Sequence, residues 1–123
     1  MEIQDILIDI IKRTKSNEMK WRLVDNSKWD SFIFNSQFTF RKFETSYEPK
    51  QREYTLVFSE KKLPDPGDDY GSDRYQPELL IFLGNKLVAT MDENNVERDD
   101  LMRLINLIDS NNEDLKSLLS ELE

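Results

Sequence analysis

Four aspartates, Asp65, Asp68, Asp69 and Asp73, fall within nine residues beside Gly67 and Gly71. Clustered carboxylates on a glycine-bearing loop suit a hard divalent cation such as Ca²⁺, which takes oxygen ligands on flexible backbone. The spacing departs from the EF-hand loop. With Asp65 as its first position, Tyr70 stands where that loop needs glycine, and Gln76 where it needs a bidentate glutamate. A Ca²⁺ site at these four aspartates is therefore one reading of the stretch, and a solvated connection is the other.

Covalent and acid–base chemistry has few candidates. The chain has no histidine and no cysteine. This removes the commonest general base, the commonest transition-metal ligand, thiolate chemistry and disulfides together. The nucleophile-elbow, P-loop and dinucleotide glycine patterns are all absent. Asp68-Asp69 and Asp99-Asp100 are carboxylate pairs adjacent in sequence. Adjacency does not set two carboxylates across a cleft, as glycoside hydrolysis requires. The expectation is a non-enzyme, with carboxylate-based hydrolysis as the remaining catalytic alternative.

Binding residues are easier to find. Phe32, Phe34, Phe38, Phe40, Phe43, Tyr54, Phe58 and Phe82 fall on strand-like segments, with Arg41, Lys42, Lys20 and Arg22 nearby. Aromatics on a sheet beside cations can stack single-stranded bases. Core packing explains most of them more simply. Trp29 lies in a polar turn, SKWDS, and exposed aromatics favour interfaces. Residues 92–123 carry ten carboxylates against three cations, among them Asp99 and Asp100. Their last apolar stripe, Leu115, Leu118, Leu119 and Leu122, suits either the chain's own core or a partner's groove. Core packing is the expectation for the stripe. Should it pack elsewhere, it is the best partner-binding segment of the chain; the candidate partner-binding residues are Trp29, Asp99, Asp100, Leu115 and Leu119.

Charge narrows the partner. The chain of 123 residues has a net charge of −8. Residues 1–50 contribute +1 and residues 51–123 contribute −9. Nucleic-acid binding runs on lysine and arginine, so an acidic half argues against it and favours a protein with a basic surface. No apolar run approaches a membrane span. Glu2, Asp5 and Asp9 precede the first basic cluster, the reverse of a signal peptide, so the reading is a mature cytoplasmic protein. Monomer and dimer stay equally open.

One domain over residues 1–123 must position these groups. Ile3, Ile6, Leu7, Ile10 and Ile11 predict a helix over 2–15, stopped at Ser16-Asn17, with Ile8 off the stripe. Met19, Trp21 and Leu23 alternate with Lys20 and Arg22, which predicts a strand over 18–24. Two short strands are expected around Asn35-Ser36, and another over 53–59. Residues 60–77 hold three prolines and two glycines and read as a long irregular loop. Gly84-Asn85 between two apolar runs predicts a hairpin over 79–91. Both faces of its first strand are apolar, as in a central strand. Two helices follow over about 97–109 and 111–122, with Ser110 and Glu113 as a capping box. The fold class is α+β. An antiparallel meander of five or six strands carries an N-terminal helix and one or two C-terminal helices packed on one face.

Overall fold

The computed structural model of the chain describes residues 2–24, 39–64, 73–111 and 113–122, with side-chain surroundings for 2–24, 41–61, 76–111 and 116–122. Helix α1 (Ile3–Lys15) precedes five strands, β1 (Arg22–Leu23), β2 (Thr39–Tyr47), β3 (Tyr54–Pro64), β4 (Asp73–Leu83) and β5 (Lys86–Met91). Helices α2 (Arg98–Ser110) and α3 (Glu113–Glu121) close the order. Every strand pairs antiparallel with the next, in the order β1-β2-β3-β4-β5, so the α+β meander with helices at both ends is the observed fold. No described helix is long and apolar enough to cross a membrane.

Helix α1 begins with the Asp5 carboxylate accepting the Glu2 N–H at 2.9 Å. It ends at Ser16, where Asn17 takes φ of 64° and the Glu18 and Asn17 N–H groups return to the carbonyls of Arg13 and Thr14. That is a Schellman stop, with asparagine standing in for the usual glycine. At the β4–β5 turn only Gly84 has positive φ, 61°, the pattern of a type II′ hairpin, whose first central residue is normally glycine.

Strand alternation splits the sheet into two faces. Phe43, Tyr47, Leu56, Phe58, Leu79, Ile81 and Met91 meet Leu7, Ile10 and Ile11 of α1 and Leu101, Leu104, Ile105 and Ile108 of α2 in the main core. Each fully buried side chain of this kind contributes about 1.5–3 kcal/mol. Ile8 is half-buried and packs against the same core despite its off-stripe position. On the other face Val57, Leu80 and Phe82 form a second buried cluster, so both faces of β4 are covered. Lys42 and Ser59, cross-strand partners on that second face, are also fully buried.

Four expectations need correction. Only Arg22–Leu23 of the 18–24 segment pairs as strand, and Leu23 is 65% exposed on this short edge while Val24 is buried. The irregular loop over 60–77 is largely a hairpin. β3 runs on to Pro64 and β4 starts at Asp73, in unbroken register from Glu60↔Pro77 to Pro64↔Asp73. Pro77 is tolerated there because β5 ends opposite Leu79, leaving this part of β4 a strand partner on one side only among the described residues. Ser110 is not the residue that caps the second C-terminal helix. Ser110 is the last residue of α2, and its hydroxyl donates back to the Asn106 carbonyl at 2.8 Å. Finally, Leu118, Leu119 and Leu122 of the last leucine stripe are exposed and do not join the core. Of the two strands expected around Asn35-Ser36, the first lies outside the described residues, and the second, with Phe38 and Phe40, overlaps β2 from Thr39 onward.

Candidate functional site

Three ties hold α2 to the body. At its start, Gln4 of α1 donates to the Asp100 carboxylate at 2.6 Å and accepts the Glu97 N–H at 2.9 Å. At its end, Asp109 takes both terminal nitrogens of Arg41 at 2.8 and 3.0 Å, while the Arg41 Nε donates to Glu60 at 2.7 Å. Burial alone would lower the Arg41 pKa. The hydrogen bonds to Glu60 and Asp109 outweigh it and raise the value above that of ordinary arginine.

The last tie is Asn111. Its amide donates to the Thr14 carbonyl at 3.2 Å, joining the end of α2 to the last turn of α1. The fully buried Thr14 hydroxyl donates to the Ile10 carbonyl at 2.9 Å and accepts the Trp21 indole N–H at 3.0 Å. Asn111 breaks the apolar stripe because its side chain is needed for this junction. Beyond it the chain turns into α3. Leu118 is 52% exposed, Leu119 54% and Leu122 77%. No side chain of α3 makes a hydrogen bond or ion pair to another element among the described residues. Residues 113–123 carry four carboxylates and one lysine, so the exposed stripe belongs to an acidic helix.

The structure brings some predicted site residues together and leaves others apart. Leu119 stands exposed on α3 with Leu118 and Leu122. Leu115 is part of the same helix, and its side-chain surroundings lie outside the described residues. Asp99 is exposed on the first turn of α2, well before α3 in the chain. Asp100 is engaged internally with Gln4 and lies 3.8 Å from Arg103. Trp29, Asp65, Asp68 and Asp69 lie outside the described residues. Asp73 stands at the start of β4 opposite Pro64, on strand rather than loop.

Of the cations weighed for base stacking, Arg41 is held by Asp109 and Glu60, Arg22 pairs with Glu44 at 3.0 Å, and Lys42 is fully buried. Lys20 is exposed. Leu118 and Leu122 share the stripe legible in the sequence. Their exposure had no signal there, because periodicity reports that a helix has an apolar face and not what covers it. Comparison with protein-family models, curated proteins and solved structures returns no match to this chain.

Proposed function

We propose that this chain is a non-catalytic cytoplasmic protein-binding module, an adaptor, inhibitor or immunity-type protein, that presents α3 to its partner. The observation that carries the reading is the outward leucine stripe, Leu118, Leu119 and Leu122, each more than half exposed. A terminal helix normally buries such a stripe, and an amphipathic helix with a free apolar face is the element that groove-binding interactions use. Full burial of a leucine side chain gains about 1.5–3 kcal/mol, so three leucines offer several kcal/mol before ordering costs. The four carboxylates around them specify the rim. The partner is a protein whose apolar groove is bordered by lysine and arginine, and like charge disfavours a second copy of α3 in that role. The cysteine-free composition suits a reducing cytosol.

The test is capture from the native host's extract on the immobilised full chain, at low and high salt, read by mass spectrometry. One basic protein should be recovered at low salt and lost at high salt. The Leu118→Ser/Leu122→Ser variant should not recover it. A partner retained equally by that variant would remove α3 as the recognition element. Capture indifferent to salt would remove the basic rim.

A further inference from the structure

A cleft of about 170 Å³ is lined by residues from the α1–β1 connection, the end of α2 and the start of α3. Met19, Trp21 and Ile108 give it an apolar floor, and Lys20 and Lys116 stand at its rim beside Asn17. Its walls are fixed. Trp21 is held by its indole bond to Thr14 and by an edge-to-face contact with Phe58. Lys20 is anchored through its backbone carbonyl, which accepts the Thr45 hydroxyl at 2.7 Å. Asn111, also at the cleft, spends its amide on Thr14.

The two lysines differ. Neither ammonium makes a hydrogen bond or ion pair with any described residue. They come from separate elements, one after α1 and one on α3, and line the same cleft in a chain of net charge −8. We propose that this cleft binds a small organic anion, with a single aromatic ring on Met19, Trp21 and Ile108 and its phosphate or carboxylate between Lys20 and Lys116. The floor supplies burial and ring contact, and the lysines select negative charge. The volume is below the range of drug-sized sites, which limits the ligand to about one ring and its substituent. Because Lys116 belongs to α3, a bound anion bridges that helix to the body. The site stands on its own lining and does not depend on what the leucine stripe binds.

The experiment is a titration of the ¹⁵N-labelled full chain with phenyl phosphate and with benzoate, followed by amide shifts. Phenol and inorganic phosphate serve as the ring alone and the charge alone. At least one aryl anion should give saturable shifts grouped at residues 17–21 and 108–116. Phenol and inorganic phosphate should each bind at least about tenfold more weakly, since each keeps only half of the recognition. Lys20→Gln and Lys116→Gln should each lower affinity, by up to about fivefold, the upper end of the range for a solvent-exposed charge pair. Both side chains are exposed, so these variants keep the fold. Lys86→Gln, on the β4–β5 hairpin, should leave affinity unchanged. The proposal is overturned if neither aryl anion saturates, if inorganic phosphate alone reproduces the response, or if Lys20→Gln/Lys116→Gln binds as the wild type does.

Discussion

Helices α2 and α3 follow one another and are both amphipathic, yet Leu101, Leu104, Ile105 and Ile108 of α2 are buried while Leu118, Leu119 and Leu122 of α3 are exposed. The difference does not lie in the stripes, which share spacing and residue type. It lies in what precedes and flanks them. α2 is fastened at both ends, by Gln4 to Asp100 and by Arg41 to Asp109, so its apolar side is held against the sheet. The Asn111 amide then bonds α1 rather than continuing the stripe, and α3 starts after that junction without a polar tie of its own among the described residues. The hydrophobic effect is non-directional. It rewards covering an apolar face and leaves to directional contacts which surface covers it.

The sharpest way to break this comparison is to remove the same kind of side chain from each helix. Leu104→Ala in α2 should cost about 2–5 kcal/mol, the range for deleting a fully buried leucine, read as a fall in the denaturant midpoint. A loss below about 1 kcal/mol would mean that α2 is not packed as described.

The next effect isolates the fastening. Asp109→Ala removes one of two carboxylates from Arg41 and should cost about 1–2 kcal/mol, because both groups are partly solvated and Glu60 still holds the guanidinium. Protection of α2 amides in hydrogen exchange should fall with it, and α3 amides should not respond.

A third effect concerns α1, where Asp9 meets Tyr47 of β2. Burial, and then a 2.7 Å hydrogen bond to Asp9, push the Tyr47 phenol up to about 12 from its ordinary value of 10.0. The folded state therefore holds this proton more tightly than the unfolded chain. The stabilisation is complete below about pH 10 and is lost as pH rises towards 12. Tyr47→Phe should flatten the fall in stability across that window, measured as midpoint against pH. An unchanged slope would show that the phenol does not contribute it.

The smallest effect completes the pair. Leu118→Ala should change stability by less than about 0.5 kcal/mol, as an exposed substitution does. A larger loss would place α3 in the core after all.

Much of the fold is legible before any coordinates. The stripes of α1 and α2 carry their own period, and the Gly84-Asn85 pair names its turn, because these signals depend on residues a few positions apart. The long β3–β4 hairpin was hidden because the prolines of the 60–77 stretch read as breakers. Their tolerance depends on where β5 ends, which is a sheet-level fact. Ser110 looked like a cap because its spacing to Glu113 fits one. Its hydroxyl instead satisfies Asn106 within α2, a local competition that spacing does not resolve. For the candidate sites, the leucine stripe was visible and its exposure was not. The cleft had no sequence signal, since Lys20 and Trp21 lie far along the chain from Ile108 and Lys116 and line one cleft only in the fold.

The sequence by itself therefore determined the α+β class, the helices at both ends, the β4–β5 hairpin and the acidic C-terminal region, because periodicity, turn chemistry and charge are properties of short stretches. Only the tertiary structure decided which apolar stripe became core and which stayed outside, and which lysines met at one cleft. The physical reason is that burial and charge proximity are set by contacts between residues far apart in the chain, here by Arg41 reaching Asp109 and Asn111 reaching Thr14.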